Sequence, residues 1–212
     1  MRGIIGYGTY VPYYRLDRSK ITAAMGTGGG RGHRAVASYD EDTTTMGVEA
    51  ARNALDASSV TPSSIWFATA NPAYLDKTNA TAIQAALDLP QETWAVDAGG
   101  AARSAEAAIR GAMGTTGISM AVASDLRTGN PTSNDESGGG DAAAALLFGD
   151  EEDAPVIAQA LGVAASTGEF LDRYRLPGES ASRIWEERFG EQAYLTLAND
   201  AIERATKDAN VG

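Results

Sequence analysis

Cysteine is absent from the 212-residue sequence, and histidine occurs only once. The absence of cysteine excludes disulfides, zinc–thiolate sites and cysteine nucleophiles within this chain. The one histidine, His33, lies in a glycine-rich polar segment, where a surface position is favoured over a catalytic one. No two carboxylates stand in a sequence context that indicates paired acid–base chemistry.

Positive charge is also scarce. The chain has 17 basic residues, of which only Lys20, Lys77 and Lys207 are lysines, against 28 acidic residues, for a net charge of -11. This balance argues against nucleic acid or an anionic membrane as the main partner. No stretch approaches the roughly 18 apolar residues of a membrane span. The first residues, "MRGIIGYGTYVPYY", lack a signal-peptide pattern, so we expect a cytoplasmic protein.

Predicted strands alternate with predicted helices along the chain. Buried strands are indicated by "SSIWFATAN", "TWAVDAG" and "GISMAVASD", and a capped amphipathic helix by "DEDTTTMGVEAARNALDAS". A further strand is predicted over "APVIAQALGVAAS", and a long final helix over "GEQAYLTLANDAIERATKDANV". This alternation predicts an α/β protein with a largely parallel sheet that is covered on both faces.

The segment "TWAVDAGGAARSAEAAIRGAM", residues 93–113, predicts a strand, a tight turn and a helix of small residues. We name residues 97–104 the corner. Many enzymes place a nucleophile at such a position, because the first N–H groups of a helix are unpaired and the helix dipole is positive there. This corner holds only glycine and alanine at residues 99–102, and none of them can attack a substrate.

Two glycine-rich segments also stand out. "MGTGGGRGHR", residues 25–34, predicts a basic loop, and "SGGGD", residues 137–141, predicts a tight turn. Neither has the Lys and Ser or Thr of a phosphate-binding loop, and neither has the strand-to-helix context of a dinucleotide fingerprint. Flexible turns are therefore the simpler interpretation.

Five segments, in chain order, resemble those of 3-hydroxy-3-methylglutaryl-CoA (HMG-CoA) synthases. They are "SYDEDTTTMGVEAARNAL", "DKTNATAIQAAL", "AVDAGGAARSAEAAI", "ESGGGDAAAALLFGD" and "RYRLPGESASRIWEERFGEQAYL". That family belongs to the thiolase superfamily, with β-ketoacyl-carrier-protein synthase III as a relative. The resemblance implies an α/β, thiolase-like αβαβα layered fold, of which the chain holds the first half plus the start of the second half. It implies an N-terminal half at residues 1–165 and the start of the C-terminal half at residues 166–212.

The resemblance also assigns the corner a role. The family's catalytic cysteine lies five residues after an acidic residue that ends a strand, and counting from Asp97 gives Ala102. Ser104 is about 200° further round the helix, so we do not expect it to replace the thiol. The family's glutamate is missing too, since Ala70 or Asn71 occupies that strand end. The family's histidine and asparagine would lie beyond Gly212.

Binding residues follow from the same resemblance. The backbone N–H of Ala102 is expected to remain an oxyanion donor, and the glycine turn is expected to face it. Basic residues of the glycine-rich loop are expected to pair with the phosphates of acyl-CoA. The predicted substrate-binding residues are Ala102, Gly138, Gly139, Gly140, Arg31 and Arg34. No metal is predicted, and no cofactor other than acyl-CoA as substrate or ligand.

Two functions stay open. The first is acyl transfer, or formation or cleavage of a carbon–carbon bond, without a cysteine acyl-enzyme. The second is a non-catalytic subunit that binds acyl-CoA or forms a scaffold. The resemblance implies a thiolase and a small OB-fold, zinc-ribbon protein as partners. It also implies a homodimer through residues 93–97, where "TWAVD" is apolar enough to be paired on both sides.

Overall fold

The computed structural model describes residues 2–101, 103–171, 173–185 and 187–211, and divides into two compact units. The first unit comprises residues 2–127 and 131–159, and the second comprises residues 128–130 and 160–211. The predicted boundary between thiolase-like halves at residues 165 and 166 stays a prediction.

The first unit is built on one five-stranded sheet with the strand order β1-β7-β6-β4-β5. Strands β4, β5 and β6 are parallel, whereas β7 is antiparallel to both of its neighbours, β6 and β1. The sheet strands are β1 (Gly3–Tyr10), β4 (Ser64–Ala68), β5 (Trp94–Asp97), β6 (Ser119–Asp125) and β7 (Ala142–Gly149). The prediction of a largely parallel sheet is therefore wrong for β7, which returns along β6 after the connection formed by residues 126–141.

Helices cover both faces of this sheet. The helices of the first unit are α1 (Ser19–Met25), α2 (Thr43–Ser58), α3 (Ala80–Ala86), α4 (Ser104–Gly114) and α5 (Asn134–Gly138), of which α2, α3 and α4 pack on the sheet. A two-stranded hairpin of β2 (Tyr14–Asp17) and β3 (His33–Val36) precedes α2. None of the described helices is long and apolar enough to cross a membrane.

Alternate residues of the strands supply two separate cores. Phe67, Val122 and Leu147 pack with Met46 of α2 and Ile83 of α3. The neighbouring residues on the same strands point to the other face, because side chains alternate along a strand. They form a second core with α4, made of Ala68, Ala108, Ala112, Ala121 and Phe148. The sheet therefore lies between an α2–α3 layer and an α4 layer.

Helix α2 begins where the sequence predicts it. The Asp42 side chain accepts a hydrogen bond from the Thr45 N–H at 2.8 Å, and the Thr45 hydroxyl oxygen accepts one from the Asp42 N–H at 2.8 Å. This reciprocal capping satisfies backbone donors that a helix start leaves unpaired. The predicted strand over "APVIAQALGVAAS" is wrong: in the described chain, residues 154–166 contain only an isolated bridge between Ile4 and Ala158.

The second unit contains the long helix α6 (Glu187–Asp208) and a short hairpin of β8 (Arg173–Tyr174) and β9 (Arg183–Ile184). The segment that enters this unit packs along the end of α6. The N–H of Val163 donates to Asp208 at 3.0 Å, and a Cβ atom added to Gly162 would lie only 2.4 Å from the carbonyl oxygen of Ala205.

Candidate functional site

The candidate site lies at the edge of the sheet where the three parallel strands end. The last residues there are Ala68, Asp97 and Asp125. Because β7 is antiparallel, its first residue, Ala142, pairs with Asp125. The glycine turn, residues 138–140, therefore reaches the same edge as the corner. In open α/β sheets, ligands bind at the carboxyl ends of the strands.

Asp97 fixes the start of the corner. Its carboxylate accepts hydrogen bonds from the N–H groups of Asn79 and Ala80, at 2.8 and 2.7 Å, and from the side-chain amide of Asn79 at 3.0 Å. Asn79 is buried, and its amide oxygen also accepts from the Tyr74 N–H at 3.0 Å. The sequence analysis missed this pairing, although a polar residue before the small-residue helix α3 is a recognisable sign of a helix start.

The corner itself partly matches its prediction. β5 ends at Asp97, and Gly100, with φ of +95°, makes the turn; its N–H donates to the carbonyl oxygen of Thr69 at 3.2 Å. The small-residue helix predicted after the turn begins at Ser104. Ala102 lies outside the described residues, so its predicted role as an oxyanion donor at the nucleophile position stays a prediction.

Ser104 is buried, and its hydroxyl oxygen accepts a hydrogen bond from the Ala101 N–H at 3.1 Å. This hydroxyl thus serves the helix start. A cluster of paired charges lies at the start of α4, where Glu106 forms ion pairs with Arg103 and Arg110. Hydrogen bonds from Arg103, with a further one from Arg110, lower the pKa of Glu106, so this carboxylate is ionised at neutral pH.

The ends of β4 and β6 are tied together by Asp125. Its Oδ1 atom accepts from the Thr69 hydroxyl at 3.1 Å and from the Ala70 N–H at 2.8 Å. The carbonyl oxygen of Asn71 in turn accepts from the Thr43 hydroxyl at 3.0 Å. Residues 70 and 71, where the family's glutamate is expected, therefore lie in a loop that the side chains of Asp125 and Thr43 hold in place.

The position of Arg34 differs from the predicted one. It lies on β3, not on a loop, and its guanidinium donates to the carbonyl oxygens of Arg127 and Glu136, both at 2.8 Å. Its Nη2 atom also lies 3.2 Å from Asp141, and the two side chains are only 8% and 6% exposed. The expectation that His33 and Arg34 belong to a flexible loop is wrong, because β2 pairs with both residues. The predicted contact of Arg34 with acyl-CoA stays a prediction.

Asp141 completes this buried group. Its two oxygens accept from the N–H of Arg127 and the N–H of Ala37, both at 2.9 Å. The preceding Gly139 packs tightly, since an added Cβ atom would lie 2.4 Å from the Arg127 side chain. The structure thus brings Arg34 and the predicted glycines Gly138–Gly140 together. It does so through a buried carboxylate that the sequence analysis did not single out.

Arg31 is exposed on the glycine-rich loop, which packs against the segment before α5. Gly28 has φ of +86°, and a Cβ atom added there would lie 2.7 Å from the Cα atom of Thr132. A second cation, beside this loop, was not predicted from the sequence. Arg18 lies beside Gly30, and its Nε atom is buried without a hydrogen-bond partner among the described residues. In the described part of the chain, no group of acidic residues and histidine could hold a metal ion.

Known proteins that are similar to this chain in sequence are named HMG-CoA synthase. The HMG-CoA synthase of Pyrococcus furiosus is 32% identical over 202 residues, which cover 91% of this chain and 57% of that protein. The HMG-CoA synthase of Aeropyrum pernix is 32% identical over 216 residues, covering 95% and 59%. No family model matches the chain. The chain is HMG-CoA synthase-like over nine-tenths of its own length, and its fold is thiolase-like.

Solved structures confirm the thiolase-like fold of this synthase-like chain. The 3-oxoacyl-(acyl carrier protein) synthase III of Pseudomonas aeruginosa has a TM-score of 0.80 at 19% identity, covering 99% of this chain and 71% of that one. An HMG-CoA synthase complexed with CoA also has a TM-score of 0.80, at 17% identity, covering 100% and 57%. The chain spans somewhat more than half the length of the curated relatives that it matches.

Proposed function

We propose that this synthase-like chain binds an acyl-CoA thioester between the corner and the glycine turn. There it acts in acyl transfer or in carbon–carbon bond formation or cleavage, without a cysteine acyl-enzyme. The single observation that carries the proposal is the shared sheet edge, where Asp97 begins the corner and Asp125 pairs with Ala142, the first residue of β7. The relatives named HMG-CoA synthase, one of them solved with CoA, support the ligand class.

The chemistry assigned to this site needs no thiol. Forming or cleaving an aldol-type bond requires donors for a developing oxyanion and a base. Backbone N–H groups at a helix start are suitable donors, each worth about 10²–10³ in rate. We assign the donor role to the N–H of Ala102. Arg31 and Arg18, on and beside the glycine-rich loop, are the residues that we assign to the CoA phosphates.

A second function is favoured by a specific observation. The sequence has no cysteine, the Ser104 hydroxyl accepts from the helix backbone, and Glu106 is held ionised by arginines. Such a site supports a non-catalytic subunit that binds acyl-CoA or forms a scaffold with a thiolase and an OB-fold, zinc-ribbon protein. A cytoplasmic location is part of both proposals.

We also propose a homodimer through residues 93–97. The support is that β5 is the last strand in the sheet order and that Trp94 is 52% exposed. An edge strand leaves one row of backbone N–H and C=O groups without a partner strand, and a second copy of the same strand could pair with it.

One experiment separates the two functions. The chain is titrated with acetyl-CoA by calorimetry, then incubated with acetyl-CoA and acetoacetyl-CoA, with product analysis by chromatography and intact-protein mass spectrometry. Enzymes of ordinary affinity bind substrate at about 1 μM to 1 mM. Binding with turnover and no protein adduct supports the enzyme. Binding without turnover supports the non-catalytic subunit. Absence of binding rejects the enzyme and the acyl-CoA-binding subunit and leaves only the scaffold.

A pair of variants tests the corner. Ala102→Cys restores a thiol at the predicted nucleophile position, whereas Ala107→Cys places one on the exposed side of α4. We expect acetyl transfer from acetyl-CoA to be faster at Cys introduced in place of Ala102. Equal rates at the two positions would reject the predicted corner. A stable acetyl adduct on the wild-type chain would reject the absence of covalent catalysis.

A further inference from the structure

A cleft of about 550 Å³ lies in the first unit, outside the candidate acyl-CoA site. It is lined by Tyr13, Tyr14 and residues 36–41. The lining belongs to the turn after β1, to the start of β2, to the end of β3 and to the segment before α2. We name it the tyrosine cleft.

Three tyrosine rings of the cleft are turned toward solvent. Tyr13 is 88% exposed, Tyr14 is 58% exposed, and Tyr39 is exposed in full. Tyr13 and Tyr14 meet edge to face, with ring centroids 5.7 Å apart. The guanidinium of Arg15 fixes this turn by donating to the carbonyl oxygens of Tyr13 and Tyr14, at 3.2 and 2.9 Å. The rings are therefore presented on a braced backbone, and tyrosine is enriched at the centres of protein interfaces.

Negative charge lies among these rings. The cleft lining contains Asp40 and Glu41 and, among the described residues that form it, no lysine or arginine. Glu41 is held in place because its carboxylate accepts from the Tyr10 hydroxyl and the Ser38 N–H. A hydrogen bond from the Ser38 hydroxyl lowers the pKa of Asp40, so this carboxylate is ionised at neutral pH.

We propose that the tyrosine cleft is a docking surface for a partner protein, and that it receives an arginine side chain of that partner. A planar guanidinium stacks on aromatic rings and pairs with carboxylates, and it is less strongly hydrated than an ammonium group. A protein partner fits better than a free small molecule. Sites for small ligands bury most of the ligand, whereas the rings of this cleft stand in solvent. The proposal does not depend on acyl-CoA chemistry.

The test uses the full chain and two peptides of the same shape. Amide chemical shifts are followed by NMR during titration with acetyl-Gly-Arg-Gly-amide and with the citrulline peptide, which keeps the shape of arginine but has no charge. We expect the arginine peptide to shift the signals of residues 13–14 and 36–41 and to bind about three times more tightly. The variants Tyr39→Leu and Asp40→Asn should each weaken its binding about two- to fivefold.

Two variants outside the cleft serve as controls. Tyr7→Leu removes an exposed ring on β1, and Asp76→Asn removes an exposed charge, and neither should change the affinity. Equal binding of the two peptides, or shifts elsewhere on the chain, would overturn the proposal. If arginine amide alone binds as tightly as the peptide, the cleft is a small-molecule site and the assignment to a protein partner is wrong.

Discussion

The guanidinium of Arg34 and the carboxylate of Asp141 form an ion pair, 3.2 Å apart, with both side chains more than nine-tenths buried. The pair joins β3 to the start of β7, beside the glycine turn. Because each group is removed from water, either one alone would be a buried charge without its partner. Substitutions in this pair therefore test how much the ion pair stabilises the edge of the candidate site.

We expect Asp141→Ala to lower the free energy of unfolding by about 3–5 kcal/mol, because it leaves a buried guanidinium without its carboxylate. Glu49→Ala, which breaks the exposed pair of Glu49 and Arg52, should cost less than about 1 kcal/mol. Urea denaturation measures both. The double variant Arg34→Ala with Asp141→Ala should cost less than the sum of the two single changes. Equal costs for Asp141→Ala and Glu49→Ala would contradict this prediction.

Helix α4 offers a matched pair of glycines. A Cβ atom added to Gly111 would lie 2.6 Å from the ring of Trp66, whereas one added to Gly114 would meet nothing within 4 Å. We expect Gly111→Ala to destabilise the chain by about 1–3 kcal/mol through overpacking. Gly114→Ala should stabilise it by up to about 1 kcal/mol, because alanine favours the helix. Thermal unfolding followed by circular dichroism measures both changes. A gain in stability from Gly111→Ala would contradict the predicted overpacking.

The environment of Tyr10 predicts that the stability of the folded chain depends on pH in the alkaline range. Its hydrogen bond to Glu41 raises the pKa of Tyr10 to about 12, above the usual value near 10. Between about pH 10 and 12, the folded chain therefore keeps the Tyr10 proton, whereas the unfolded chain loses it. The stabilising contribution is full below about pH 10 and is lost as the pH rises toward about 12.

Ultraviolet titration of the folded chain should show a tyrosine ionisation near pH 12, and Tyr10→Phe should remove it. In urea denaturation, the variant should lose less stability than the wild type between about pH 10 and 12. Absence of a tyrosine ionisation near pH 12 in the folded wild type would count against the Tyr10–Glu41 hydrogen bond.

The proposed homodimer predicts a molecular mass near twice the 22.0 kDa of the chain. Light scattering after size-exclusion chromatography measures it. We expect Trp94→Arg to yield a monomer, because it places a charge in the paired strand, whereas Tyr7→Arg, on the opposite edge strand β1, should leave the dimer intact. A wild-type monomer would contradict the proposal.

The glycine-rich loop can be tested with two ligands. Arg31→Ala with Arg18→Ala should weaken acetyl-CoA binding about tenfold at low salt, since charge-assisted hydrogen bonds to phosphate are strong. Binding of acetyl-pantetheine, which lacks the nucleotide phosphates, should be unchanged. Unchanged affinity for acetyl-CoA would reject the phosphate role. A matched loss for both ligands would show instead that the variant disturbs the thioester end of the site.

The sequence by itself determined the features that rest on local patterns. Helical spacing and the capping residues Asp42 and Thr45 predicted α2, and an apolar run ending in an acidic residue predicted that β5 stops at Asp97. The absence of cysteine excluded a thiol nucleophile without reference to any fold. Five ordered segments indicated an HMG-CoA synthase-like chain with a thiolase-like fold, which the comparisons confirm. Each of these features depends on residues that are near one another in the chain.

Only the tertiary structure decided how distant residues meet. The antiparallel direction of β7, the burial of Arg34 against Asp141 and the contact of Asp97 with Asn79 join residues 17 or more positions apart. Sequence periodicity cannot report such pairings, because it shows which face of an element is apolar but not which element covers that face. An arginine in a basic glycine-rich segment therefore looked exposed, until the fold supplied the carbonyl oxygens and the carboxylate that bury it.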